Sequence, residues 1–111
     1  MTDLPAQARQ LFSTVTEDGR LELSLREVPV PAPTGDEVLV RIEAAPINPS
    51  DLAVLLSAAD RNAFTATAGG AAAAIPEAAL RAVSPRLGKP LPIGNEGAGT
   101  VVAAGDDPAA Q

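Results

Sequence analysis

The 111-residue chain contains no cysteine and no histidine. Without cysteine it has no disulfide, no thiolate nucleophile and no zinc–sulfur site. Without histidine it lacks the usual proton shuttle near neutral pH and a common metal ligand. These two absences exclude much catalytic chemistry.

Aromatic residues are also scarce, since there is no tryptophan, no tyrosine and only two phenylalanines. The hydrophobic fraction is 46%, but much of it is alanine, which buries little area. A core built from the larger apolar side chains is thin for this length. The composition therefore predicts weak independent stability.

Basic charge is sparse, with 8 Lys and Arg against 14 Asp and Glu, a net charge of −6. Nucleic acids and anionic membranes attract clustered basic residues, so neither is expected as a partner. No apolar run is long enough to span a membrane, and residues 1–5 lack the basic flank and apolar stretch of a signal peptide. The default prediction is a soluble cytoplasmic protein.

Two segments have the alternating pattern of β-strands, and a third, residues 10–16, mixes β-branched and aromatic residues. Residues 10–16 lead into Asp18-Gly19, a pair that favours a tight hairpin, and residues 21–26 alternate leucine with polar side chains. Residues 37–43 alternate in the same way. A further segment, residues 100–105, suits a buried strand but has no obvious sequential neighbour with which to pair.

A helix is predicted to begin at Asn48. Asparagine is a favoured N-cap, Pro49 then occupies the first helical position, and Asp51 lies three residues after the cap. We interpret Asp51 as an acid that complements the helix dipole rather than as a catalyst. The helix is expected to end near Ser57.

The region that follows is rich in small residues. Residues 65–74 contain only threonine, alanine and glycine, which predicts a mobile loop that buries little. A short helix is expected after Ile75, with Pro76 at its first position. Arg86 and Lys89 are interpreted as solvated charges rather than ligands of a cofactor phosphate.

The run from Gly94 to Gly99 resembles a phosphate-binding loop only superficially. The dinucleotide motif requires Gly-x-Gly-x-x-Gly between a strand and a helix. Here the spacing is Gly-x-x-Gly-x-Gly, and the next segment has a strand pattern. A tight turn that permits close backbone approach is the preferred interpretation.

Two motifs together resemble a known family: residues 47–51, Ile-Asn-Pro-Ser-Asp, and residues 94–99, Gly-Asn-Glu-Gly-Ala-Gly. With the strand at 37–43, they resemble the N-terminal, GroES-like catalytic domain of medium-chain dehydrogenases/reductases. The resemblance covers roughly residues 8–56 and 88–105. It implies a mainly β fold with short helices, a GroES-like partial β-barrel.

The resemblance also implies that residues 1–111 are an incomplete domain, a fragment of a two-domain reductase whose Rossmann domain is absent. Residues 57–89 are interpreted as an Ala/Gly-rich insert. Zinc-dependent members carry a cysteine near residues 47–51 and a histidine where this chain has Asn95. The closer resemblance is to the zinc-independent quinone oxidoreductases and 2-enoyl thioester reductases.

In that family the reaction is NAD(P)H-dependent hydride transfer to a quinone or an activated double bond. The resemblance places Asn48 at the nicotinamide and substrate cleft, where its amide could orient cofactor or substrate; this is compatible with its role as a helix cap. Glu96 is a family position near the cleft floor, although a solvated or turn-stabilising role is preferred. The expected cofactor is NADPH, bound mainly by the missing domain, without zinc.

Enoyl reductases of this type commonly use a tyrosine as proton donor, and this chain has none. A quinone acceptor can take its proton from water and fits the sequence better. A homodimer is compatible with the full-length parent, whereas the 111-residue chain alone is expected to lack turnover. The alternative is a non-enzymatic GroES-like binding module or an inactive truncated product.

Overall fold

A computed structural model describes residues 4–111, which form two compact units. The first unit contains the N-terminal residues through Ala8, Val28–Pro46 and Gly94–Gln111. The second contains Arg9–Glu27 and Ile47–Ile93. The strands in the described residues are β1 Gln7–Val15, β2 Arg20–Pro29, β3 Val38–Ala44, β4 Thr65–Thr67, β5 Gly70–Ala74, β6 Leu91–Pro92 and β7 Ala98–Ala104, and the α-helices are α1 Pro49–Leu56 and α2 Glu77–Val83.

The larger sheet has five strands in the order β4-β5-β2-β1-β6. The predicted hairpin between β1 and β2 is confirmed. Thr16 donates its N–H to the carbonyl of Arg20 at 2.8 Å, and Gly19 donates to the carbonyl of Thr16 at 3.0 Å. Gly19 has φ +82°, whereas Asp18 keeps an ordinary negative φ. Glycine therefore provides the left-handed residue that the turn needs.

The alternation predicted for β2 holds for only part of the strand. Leu21 is fully buried, but Leu25 is 51% exposed while Ser24 is buried. The register with β5 is regular from Arg20 to Ser24, so no bulge explains the change. Burial in this strand depends on tertiary packing, which local alternation does not encode: Leu21 lies in the core with Val83 of α2, and Leu25 follows the last residue paired with β5.

The mobile loop predicted for residues 65–74 is wrong. This segment forms the β4–β5 hairpin, and β5 pairs antiparallel with β2 from Gly70 opposite Ser24 to Ala74 opposite Arg20. Ala73 is fully buried and Ala72 is 6% exposed. Small side chains let β5 pack closely in the sheet, so this part of the expected insert is integral to the fold.

The hydrophobic core of the second unit contains Val15, Leu21, Ile75 and Val83, each at most 8% exposed. It is extended by partly buried neighbours: Leu23, Ala58, Ala59, Phe64, Ala79 and Leu80. The core thus joins the β1–β2 hairpin to α2. The predicted short helix is confirmed, except that Pro76 is its N-cap rather than its first residue.

The first unit contains a two-stranded antiparallel sheet of β3 and β7. As expected, the final strand β7 does not pair with its neighbour in the sequence, and it pairs instead along β3. The expectation that this strand is buried is wrong: Val101 is 55% exposed, and Ile42 on β3 is 57% exposed. The pairing joins segments more than 50 residues apart, which sequence proximity does not reveal.

These observations confirm a mainly β fold with short helices. Neither sheet closes on itself within residues 4–111, since the larger ends at β4 and β6 and the smaller has only two strands. Open sheets of this kind are consistent with the expected partial barrel. Over the same residues, no helix is long and apolar enough to cross a membrane.

Candidate functional site

Asn48 is the N-cap residue of α1, as the sequence predicts. Its backbone is extended, with φ −95° and ψ 155°, and its carbonyl accepts from the N–H groups of Asp51 and Leu52 at 3.0 and 3.2 Å. Pro49 occupies the first helical position. The side chain of Asn48 is partly exposed. An amide is therefore presented at the positive end of a helix.

Asp51 completes a capping box with Asn48. Its Oδ2 accepts the backbone N–H of Asn48 at 2.9 Å, and the residue is only 7% exposed. The other oxygen, Oδ1, is buried and accepts no hydrogen bond from residues 4–111. A buried oxygen without a donor costs free energy, which the adjacent helix N-terminus partly offsets. The geometry gives Asp51 a role in stabilising the helix start.

Arg86 contacts the same helix at its other end. Its Nη1 donates to the carbonyl of Val54 at 3.3 Å, and its Nη2 donates to the carbonyl and Oγ of Ser13 at 3.3 and 3.2 Å. Burial lowers the pKa of the Arg86 guanidinium from its ordinary value. The interpretation of Arg86 as a solvated charge is therefore wrong, whereas Lys89 is exposed as expected.

An open groove of about 610 Å³ lies within the first unit. It is lined by two segments, residues 44–46 and 96–98, whose side chains are small and apolar except for Glu96. Glu96 belongs to this unit, while Asn48 belongs to the second unit. The groove is therefore apolar apart from one acidic residue.

The glycine-rich run from Gly94 to Gly99 passes beside this groove and enters β7 directly. Gly94 has φ +104°, and a Cβ placed on Gly99 would lie 1.9 Å from the carbonyl oxygen of Arg41. Close backbone approach is thus the reason for glycine at Gly99. A strand, not a helix, follows the run, so the context required for a phosphate loop is absent here.

The usual ligands of a catalytic zinc ion are missing from this sequence. The chain supplies neither cysteine nor histidine; residues 47–51 read Ile-Asn-Pro-Ser-Asp, and position 95 is Asn95. Within residues 4–111, no three Asp or Glu side chains cluster in a way that could hold a metal. Amide oxygens are poor substitutes for the thiolate and imidazole ligands that zinc prefers.

Sequence reasoning missed the Ser13–Arg86 contact, which joins residues 73 positions apart. Neither residue lies in a recognisable motif. One feature of the sequence could have indicated this contact: the last turn of α1 contains no basic residue. The partial negative charge at this helix end is therefore left for a cation from another part of the chain.

Comparison with known proteins agrees with this architecture. The alcohol dehydrogenase GroES-like domain family matches residues 34–111, and the chain belongs to this family. A zinc-type alcohol dehydrogenase-like protein of Schizosaccharomyces pombe is 56% identical over 34 residues. This match covers 31% of the chain and 10% of that protein, so the chain spans only a small part of its relative.

Proposed function

We propose that this chain is the substrate-side portion of a zinc-independent, NAD(P)H-dependent oxidoreductase that transfers hydride to a quinone or an activated double bond. Membership of the alcohol dehydrogenase GroES-like family supports the oxidoreductase class. The observation that carries the finer proposal is Asn48, an amide at a helix N-terminus. It lies in the stretch 47–51, where zinc-dependent members of the resembled family carry a cysteine.

The nicotinamide supplies the hydride when the cofactor is bound, and the protein supplies its orientation. The Asn48 side chain can both donate and accept hydrogen bonds, which suits a carboxamide or a substrate carbonyl. The capping box with Asp51 fixes the backbone from which this side chain projects. Fixing a polar group in advance lowers the entropy cost of orienting a substrate.

A quinone is the preferred acceptor. This chain lacks a tyrosine that could protonate a carbon centre, while a reduced quinone oxygen can take its proton from water. The groove beside Glu96 is apolar and open, which suits a planar acceptor. Reduction of an enoyl group also needs a proton donor, and this chain has no tyrosine to act as one.

The test compares NADPH binding and quinone reduction in a full-length protein that carries this domain with those of the 111-residue chain. Asn48→Ser is the informative variant because serine is also a good N-cap but has no amide. We expect Asn48→Ser to keep the thermal stability of the wild type and to lower kcat/KM by about tenfold or more, as expected for the loss of an orienting hydrogen bond.

Asn62→Ala is the matched control because Asn62 is exposed on a loop before β4. It should retain wild-type turnover. Full activity in Asn48→Ser would reject the proposed role of the amide. Absence of NADPH binding and of quinone-dependent oxidation in every form would reject the reductase.

A non-enzymatic binding module is the second candidate, and the exposed apolar face of the β3–β7 sheet favours it. Val40, Ile42 and Val101 lie on this face and are 37%, 57% and 55% exposed. Apolar faces of this kind often contact another polypeptide. The NADPH titration separates the two candidates, since a binding module would neither bind nor oxidise the cofactor.

A further inference from the structure

Helix α1 has only eight residues, so its stability depends on how its ends are satisfied. The N-terminal end is satisfied locally by Asn48 and Asp51. At the C-terminal end the last four carbonyls have no partner within the helix. Ser57, the residue after the helix, has φ +46°, and the last turn contains no basic residue.

Each of these four carbonyls nevertheless accepts a hydrogen bond. The outer two accept backbone N–H groups: Ala53 from Ser57 at 3.1 Å and Leu56 from Ala59 at 3.0 Å. The inner two, Val54 and Leu55, lie 3.3 and 3.0 Å from the hydroxyl of Ser13 on β1 and share its single proton. The carbonyl of Val54 also accepts from Arg86.

Ser13 is fully buried, and Arg86 ties this serine to the helix end. One guanidinium nitrogen of Arg86 contacts the helix, and the other contacts both the carbonyl and the hydroxyl of Ser13. The positive charge therefore lies at the negative end of the α1 dipole, where a cation is stabilising. Because Arg86 also contacts Ser13 on β1, it fixes the helix to the larger sheet as well as capping the helix end.

We propose that Arg86, acting with Ser13, is a positioning residue for Asn48. Clamping the last turn of α1 to β1 holds the short helix in one register and keeps the Asn48 amide at its opposite end in a fixed orientation. The importance of this positioning for catalysis rests on the proposed function of Asn48. The effect of Arg86 on the orientation of Asn48 does not depend on that function.

The length of the helix explains why one end can influence the other. Eight residues span about 12 Å at 1.5 Å per residue, or little more than two turns. Fraying of the last turn leaves too few internal hydrogen bonds to sustain the first. Loss of the clamp is therefore expected to loosen the Asn48–Asp51 capping box, although Arg86 does not touch it.

The experiment measures amide hydrogen exchange and the NMR signal of the Asn48 side-chain amide in the 111-residue chain without cofactor. Three variants are compared with the wild type: Arg86→Met, Arg86→Lys and Arg81→Met. Arg81 is an exposed arginine on α2 and serves as the matched control.

In Arg86→Met we expect exchange of the α1 amides to accelerate by about tenfold or more, the size expected when hydrogen bonds from a charged group are lost. The Asn48 side-chain signal should shift, while the β2 and β5 amides should change less. Arg86→Lys retains the charge and a donor, so it should recover part of the protection and of the signal position. Arg81→Met should match the wild type.

Unchanged α1 exchange, or an unshifted Asn48 signal, in Arg86→Met would overturn the proposal. So would an equal loss of protection in α1, β2 and β5, because that pattern indicates global destabilisation. If Arg86→Met does not fold, the same two measurements on Arg86→Lys and Ser13→Ala decide between local and global effects. No cofactor is present, so failure here is distinct from failure of the reductase proposal, which the turnover of Asn48→Ser tests.

Discussion

Glu37 is an exposed side chain whose ionisation state affects the stability of the fold. Its Oε1 accepts the backbone N–H and the hydroxyl of Thr34, both at 2.9 Å. These two hydrogen bonds, the backbone one first, lower the pKa of Glu37 from its ordinary value of 4.5. The ionised carboxylate thus stabilises the turn that leads into β3.

The lowered pKa predicts a specific loss of stability in acid. A carboxylate with a lowered folded-state pKa contributes stability that is complete above the ordinary value of 4.5 and is lost as the pH falls through the folded-state value. Glu37→Gln should therefore flatten the acid side of the stability profile. Urea unfolding midpoints between neutral and strongly acidic pH measure this effect.

Glu27→Gln provides the control because Glu27 is an exposed glutamate on β2, away from the turn at Thr34. Its profile should run parallel to that of the wild type. Parallel profiles for Glu37→Gln and the wild type would show that the turn does not depend on the ionised carboxylate.

Single residues could be predicted from sequence where their partners lie nearby. The spacing of Asn48 and Asp51 identifies a helix start because both residues belong to one turn. Arg86 could not be assigned, since its partners Val54 and Ser13 lie 32 and 73 residues away. The interactions at the N-terminal end of α1 can therefore be predicted from the sequence, whereas those at its C-terminal end depend on the tertiary fold.

At the scale of elements, the β2–β5 pairing depends on one glycine. A Cβ on Gly70 would lie 2.0 Å from the carbonyl oxygen of Leu23, whereas a Cβ on Gly69 would have no atom within 4 Å. We expect Gly70→Ala to lower the free energy of unfolding by about 1–3 kcal/mol, the usual cost of forcing extra volume into a packed site. Chemical denaturation measures it.

Gly69→Ala is the matched substitution in the adjacent position, and it should cost much less. If both variants had the same stability as the wild type, the close approach of β5 to β2 would not be a constraint on the sequence. Equal destabilisation of both would instead point to the flexibility of the β4–β5 turn as the reason for glycine.

The β4–β5 hairpin was missed because its signal is not local. Alanine has low β-propensity, and residues 71–74 contain nothing else. What makes them a strand is the ladder with β2, which buries Ala73 completely. In contrast, the β1–β2 hairpin has its turn residues and its alternating side chains in one short segment, and it was predicted correctly.

At the scale of the whole molecule, burial is uneven between the two units. The buried hydrophobic residues of the described chain all lie in the second unit. In the first unit the apolar side chains of β3 and β7 remain largely exposed. The opposite face of this sheet carries an exposed ion pair of 3.3 Å between Arg41 and Glu43, next to the half-buried Leu39. The exposed apolar area of the smaller sheet therefore lies mainly on the face of Val40, Ile42 and Val101.

This exposed face predicts that the isolated chain associates with itself. Apolar side chains on a two-stranded sheet with open edges favour contact between copies. The net charge of −6 opposes that contact, so association should strengthen with added salt, which screens the repulsion. Sedimentation at increasing protein concentration, in low and high salt, measures the average mass.

The double substitution Ile42→Thr with Val101→Thr should shift the chain toward monomer, since threonine suits a strand but removes apolar area from this face. Leu25→Thr is the control because Leu25, on β2, is similarly exposed at 51%. It should leave association unchanged. A wild type that is monomeric at every concentration would show that the β3–β7 face does not drive association. An equal effect of Leu25→Thr would show that association depends on exposed apolar side chains in general and not on this face.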